Sequence, residues 1–260
     1  AAALATAISQ FTSAILCMIH LIRTKEEYQL QVGKIRFDGP SLSQIIQNGV
    51  PSGFQNSVIA IANVFVQSNI NAFGKMAMAG CGAYSKVEGF AFLPITCFAM
   101  ALTTFIGQNL GARQYDRAKK GAYFGIACSV TLAELVGVIV YFLISYLAAG
   151  FDNTAEVVAI ATRQAHVEAL FYCFLAFSHC IAGIMRGAGK STVPMFVMLA
   201  SWCIIRITYI TVTVHFIPEI QVIFWAYPLT WSISSVIFLI YFLKADWIHN
   251  FERTEKNMHR

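Results

Sequence analysis

Glu88, Glu134, Glu168, His179 and Arg206 each fall inside long apolar stretches of this 260-residue chain. A charge held at mid-bilayer costs roughly 2.5–3.5 kcal/mol on insertion scales, so such groups are candidates for function before anything else is known. A second set of polar residues is organised by spacing. On a helix of 3.6 residues per turn, Asn48, Ser52, Asn56, Asn63 and Gln67 share an arc of about 100° over five turns. Ile59 and Val66 fall in the same arc, so the stripe is mixed, while Gln55, Ser57, Asn69 and Asn71 add polarity on the flanks. Hydrocarbon cannot satisfy amides. This face must therefore meet either another helix or a wet cleft, and the polarity on the flanks favours the cleft. A third face carries Glu168, Tyr172, His179 and Arg186 at helical spacing, an acid, a phenol, an imidazole and a guanidinium that suit proton or cation traffic. The same pattern would arise if Arg186 only anchors a helix end and His179 is a hydrogen-bonded core histidine. Arg206 shares a face with Trp202, Tyr209 and Thr213. A buried Arg calls for a carboxylate, and Glu134 lies at comparable depth.

The elements that must position these groups follow from composition. Hydrophobic residues make up 57% of the chain and charged residues only 12%, about half the usual charged share of a soluble domain. Windows of about 20 apolar residues, the length that spans a bilayer as a helix, fall at 1–22, 44–71, 78–109, 118–149, 157–185, 191–217 and 221–243. The expected fold class is all-α, a polytopic membrane bundle of seven transmembrane helices, because only helices or closed barrels satisfy their backbone in lipid and nothing here alternates like a barrel strand. Of the 18 Lys and Arg residues, 14 fall in 23–43, 110–120, 186–190 and 244–260. Positive charge favours the cytoplasmic side, so the chain starts outside, crosses seven times and ends with a cytoplasmic tail. This accounts for the net charge of +5 without a nucleic-acid partner.

Several chemistries are excluded. Arg186-Gly-Ala-Gly-Lys-Ser-Thr looks like a phosphate loop, but the required earlier Gly is Ile184 and a membrane helix precedes it rather than a strand. Cys17, Cys97, Cys128, Cys173, Cys180 and Cys203 sit in apolar segments, which reads as packing rather than disulfides. There is no His-x-x-x-His, Cys-x-x-Cys or Gly-x-Ser-x-Gly pattern, so neither a metal site nor an enzyme is expected. The pairs Gly49/Gly53, Gly107/Gly111, Gly121/Gly125 and Gly183/Gly187 place two small residues on one face and suit close helix packing. Pro51 and Pro94 lie in the second and third spans, where proline bends a helix.

Three stretches carry a family resemblance. Gly49-Val-Pro-Ser-Gly-Phe-Gln, Gly107-Gln-Asn-Leu-Gly-Ala-Arg and Arg186-Gly-Ala-Gly-Lys-Ser-Thr, with the opening Ala2-Ala-Leu-Ala-Thr-Ala-Ile-Ser, resemble the multidrug and toxic compound extrusion (MATE) transporters in order and along essentially the whole chain. The resemblance implies a twelve-helix exporter of two six-helix lobes around a central cleft, driven by a proton or sodium gradient and working by alternating access, with no bound cofactor. It maps 1–22 to the last helix of the N-terminal lobe, 23–43 to a cytoplasmic linker, 44–243 to a six-helix C-terminal lobe and 244–260 to a cytoplasmic tail, so the chain is expected to be a fragment. Small-molecule substrates, the bilayer and the absent N-terminal lobe would be its partners, and a plasma membrane, here a bacterial cytoplasmic membrane, its location. Two coupling acids of the sodium-driven subgroup fall on Ile59 and Leu175 and cannot be carried over. Glu88 sits where many bacterial members have an acid. The reading is an efflux antiporter for small cationic amphipathic compounds. Gln55, Asn56, Asn63, Gln67, Glu88, Tyr172, His179, Arg206 and Tyr209 are the cleft candidates, and Glu88 and Glu168 the ion-coupling candidates. The alternatives are a flippase for lipid-linked oligosaccharides and a non-transporting scaffold or half-subunit.

Overall fold

The computed structural model describes residues 2–25, 29–34, 36–245 and 247. Among them every regular element is helical, as an apolar chain in lipid requires. They divide into two compact units, 1–44 and 45–260. The first holds α1 (Ala2–Arg23). After it the chain turns back on the helix end, where the Leu30 N–H donates to the Leu21 carbonyl at 2.9 Å and Gln29 Nε2 to the Ile22 carbonyl at 3.0 Å. A short 3₁₀ turn, Val32–Lys34, follows. Asp38 then accepts the Ser41 N–H at 3.0 Å on Oδ2. That capping bond satisfies a first-turn donor, and Ser41 holds the Asp38 carboxyl below the usual carboxylate range.

The helix begun there is α2 (Gly39–Ala72), whose residues beyond 44 belong to the second unit. With it are α3 (Lys75–Gly111), α4 (Tyr115–Ala149), α5 (Ala155–Gly187), α6 (Thr192–Phe216) and α7 (Ile220–Lys244). Among the described residues six helices are long and apolar enough to cross a membrane: α1 and α3 to α7. The one expected span that does not qualify is α2, because the amides of its polar stripe lower its apolar content although its 34 residues are ample.

Two helices are not regular, and neither irregularity was anticipated from sequence. In α5 the backbone tightens to 3₁₀ at Ala169–Phe171, directly after Glu168. In α6 it widens to a π-helix at Leu199–Ile205, directly before Arg206. Insertions of this kind recur where a helix serves function.

Glycine permits close helix approach. A Cβ at Gly183 would run into the Ala99 carbonyl and one at Gly187 into the Thr103 carbonyl, both on α3. Only bare Cα atoms permit this separation, and Thr103 Oγ1 uses it to donate to the Gly183 carbonyl at 3.0 Å. By contrast, Gly49 and Gly53 on α2 have open space around them. The phosphate-loop lookalike is a helix end. Gly189 takes a left-handed φ of 74°, and the Lys190 N–H returns to the Met185 carbonyl at 2.8 Å, a glycine-terminated C-cap. The Gly107 motif ends α3 in the same way. There the Gln114 N–H reaches the Asn109 carbonyl at 2.8 Å while Arg113, not glycine, adopts the left-handed φ of 58°.

Candidate functional site

The second unit encloses a cavity of about 980 Å³ with a mixed lining, at the upper end of the usual range for small-molecule sites. From α2 it receives Gln55, Asn56, Asn63 and Gln67, with Ile59 and Val66 between them. The stripe inferred from helical periodicity therefore lines an open space. Asn56 and Asn63 make no side-chain hydrogen bond to another described residue, and both are exposed. Gln67 Nε2 donates to Asn71 Oδ1 at 2.9 Å. Gln55 is the exception on this face. It is 2% exposed, its Nε2 lies 2.8 Å from Met198 Sδ, and its Oε1 has no partner. Near the start of α2, Ser191 Oγ donates to Asn48 Oδ1 at 3.0 Å.

From α3 the lining takes Glu88 and Phe92, from α5 Gln164, Leu175, His179 and Arg186, from α6 Trp202 and Arg206, and from α7 Tyr227 and Trp231. Leu175 and Ile59, the two positions where the sodium-driven pattern would place acids, both face the cavity as apolar groups. His179 packs edge-on between Phe92, at 5.1 Å between ring centroids, and Trp202, at 5.5 Å. Its Nε2 is buried without a partner. Trp202 is fixed from behind: its Nε1 donates to Ser234 Oγ at 3.2 Å, and Ser234 and Ser235 both meet Ser178 Oγ, at 3.0 and 2.9 Å. Buried hydroxyl networks of this kind hold one rotamer when every member has a partner.

Three sequence candidates lie elsewhere. Tyr172 is 1% exposed, buried behind the cavity, where its hydroxyl meets that of Tyr84 at 2.8 Å. Tyr209 packs against the apolar cluster of Val66, Ile70, Ile210 and Phe224. Glu168 is fully buried and accepts from Gln164 Nε2 on Oε1 at 3.0 Å, with Oε2 unpartnered. For Glu168 the physical reason is the 3₁₀ turn at Ala169–Phe171, which separates it from His179 and Arg186. Each 3₁₀ residue turns about 20° further than an α residue, so three of them rotate His179 and Arg186 by about 60° relative to Glu168. The suggested pairing of Arg206 with Glu134 does not form either. Arg206 Nη2 donates to Thr230 Oγ1 at 3.0 Å, and its guanidinium carbon lies 4.5 Å from the Tyr227 ring centroid and 5.4 Å from that of Trp202. Tyr227 and Trp231 were missed because a span rich in aromatics does not mark which ring faces a cavity. Among the described residues no group of three or more His, Cys, Asp or Glu could hold a metal ion.

Apolar helices of membrane-spanning length, with a polar, aromatic-walled cavity among those of the second unit, define a multi-pass membrane protein. The chain belongs to the MatE family, whose model matches residues 51–212. It is 25% identical over 251 residues to a probable multidrug resistance protein NorM of Thermotoga maritima, covering 95% of this chain and 53% of that protein. It is 22% identical to the probable multidrug resistance protein YoeA of Bacillus subtilis, covering 92% of this chain and 53% of the other. The fold is similar to that of a MATE crystallised in complex with MaL6, with a TM-score of 0.86, 16% identity, and coverage of 97% of this chain and 57% of that one. The chain thus spans about half the length of the curated relatives it matches.

Proposed function

We propose that this chain is the C-terminal part of a secondary active multidrug exporter and supplies one wall of its drug-binding space. The observation that carries the reading is the cavity itself. Unpartnered amides at Asn56 and Asn63 give adaptable hydrogen bonding, rings at Phe92, Trp202, Tyr227 and Trp231 give flat apolar contact, and Glu88 supplies one carboxylate. That combination takes varied amphipathic cations rather than one tightly specified ligand, since ring faces and a carboxylate both attract positive charge. The names of the multidrug resistance relatives support a multidrug substrate range. Export is coupled to entry of a proton or sodium ion by alternating access of two lobes, with Glu88 in the cavity and Glu168 buried behind it as the carboxylates available for the exchange. The protein sits in a bacterial plasma membrane with the C-terminus of this chain inside.

The test is efflux by the full-length protein that carries this chain, measured in everted vesicles energised in turn by a pH and a sodium gradient. Glu88→Gln keeps the shape of the side chain and removes its charge. The expected result is at least a tenfold loss of cationic dye efflux; unchanged efflux removes Glu88 from the mechanism.

A further inference from the structure

A second hollow lies away from the central cavity, at the C-terminal end of α7. It has a volume of about 410 Å³ and is lined by Ile237, Ile240, Tyr241, Lys244 and Ala245. The first four are spaced i, i+3, i+4 and i+7, so they share one face of the helix. That face is layered. Ile237 and Ile240 are 37% and 51% exposed and form an apolar floor, and Tyr241 and Lys244 follow them toward the helix end. The Tyr241 ring packs on the apolar cluster that holds Met198 and Phe238, which holds it in place. Lys244 is exposed and has no hydrogen bond or ion pair to another described residue.

A lysine at a helix end has an ordinary role, because its charge complements the carbonyl terminus and its stem reaches for the interface. The apolar hollow and the phenol beside the ammonium go beyond that role. Since α7 has the length and composition to cross a membrane, its exposed face meets lipid. From Ile237 to Lys244 the helix rises about 10 Å, roughly two thirds of the hydrocarbon depth of one leaflet. An acyl chain lying along the two isoleucines therefore brings its own headgroup level with Lys244. Among the described lining residues there is a cation and a hydroxyl but no carboxylate, so the hollow offers partners to a phosphate and none to the ammonium of a zwitterionic headgroup.

We propose that this face of α7 binds one anionic phospholipid. The Lys244 ammonium and the Tyr241 hydroxyl receive its phosphate, and an acyl chain lies along Ile240 and Ile237. The site requires a bilayer around α7 and not export, so lipid retention and dye efflux fail separately.

Native mass spectrometry of the full-length protein, released from nanodiscs of equal parts dioleoyl phosphatidylglycerol and dioleoyl phosphatidylcholine, reads which lipid stays bound. The two lipids share their chains and differ in headgroup charge. The wild-type protein is expected to retain phosphatidylglycerol in preference, and Lys244→Gln to lower that preference about fivefold, the usual effect of one lysine near an anionic headgroup. The control is Lys120→Gln. Lys120 is exposed near the start of α4, and the Tyr123 ring on the same helix meets that of Phe242 at 5.6 Å, so this change removes a charge at the same end of the bundle without touching the hollow. It should leave the preference unchanged. Equal losses in the two variants describe a diffuse attraction to the basic rim and overturn the site, as does a wild-type protein that retains both lipids alike. Ile240→Trp fills the floor and keeps the lysine. It should lower retention as Lys244→Gln does, and unchanged retention overturns the proposal even if Lys244→Gln does not fold.

Discussion

Replacing Tyr172 by Phe should lower stability and leave ligand affinity intact, opposite to what its place on a polar helix face suggests. Tyr172 and Tyr84 are 1% and 0% exposed, and their hydroxyls meet at 2.8 Å with no cavity between them. Removing one hydroxyl leaves the other buried without this partner, which costs about 1–3 kcal/mol, whereas removing both replaces a matched pair by two apolar rings at lower cost. Tyr172→Phe and Tyr84→Phe should therefore each destabilise by about 2 kcal/mol, and the double variant by less than their sum, giving a coupling of roughly 1–2 kcal/mol in a double-mutant cycle. For a unit of this size that is a melting shift of about 4–8 °C for each single change, at 2–4 °C per kcal/mol. The readout is thermal unfolding of the full-length protein in detergent, followed by the loss of the monodisperse peak, with dye binding measured on the surviving fraction. Additive single and double variants would refute the reasoning, as would an unchanged melting temperature with weakened dye binding.

Two further predictions separate packing from positioning. Gly183→Ala places a methyl against the Ala99 backbone carbonyl and should cost at least 2 kcal/mol as overpacking, while Gly53→Ala, with open space around it, should stabilise by up to about 1 kcal/mol through helix propensity; paired thermal melts check both. Ser234→Ala removes the acceptor of Trp202 Nε1 and one partner of Ser178. It should weaken binding of planar aromatic ligands several-fold and shift the Trp emission, with non-aromatic amphiphiles affected less in the same titration.

The parts of the site that were legible in the sequence are those set by a single helix. The α2 stripe follows from one period, and α2 runs without interruption from Gly39 to Ala72 with only Pro51 inside, so Asn56, Asn63 and Gln67 reach the same space. Glu168 and His179 were not separable in this way, because the 3₁₀ turn between them has no proline or glycine to announce it. The π segment before Arg206, Leu-Ala-Ser-Trp-Cys-Ile-Ile, is equally silent. Pairings between helices were less legible again. Depth in the membrane suggested Glu134 for Arg206, but depth does not give azimuth, and Thr230, Trp202 and Tyr227 hold the guanidinium instead. Carboxylates missing at Ile59 and Leu175 were readable as letters, whereas their position on the cavity wall needed the fold.

The contact of Gly183 and Gly187 with the Ala99 and Thr103 carbonyls has a mechanical consequence. Backbone pressed on backbone leaves no side-chain cushion to deform, so α3 and α5 act as one stiff beam. The wall formed by α2 meets α6 through the Gln55 amide on the Met198 thioether and through Val66 and Ile70 packed with Ile210, and the Ser191 hydroxyl before α6 reaches Asn48. Any breathing of the chamber has to be taken up away from the α3–α5 contact.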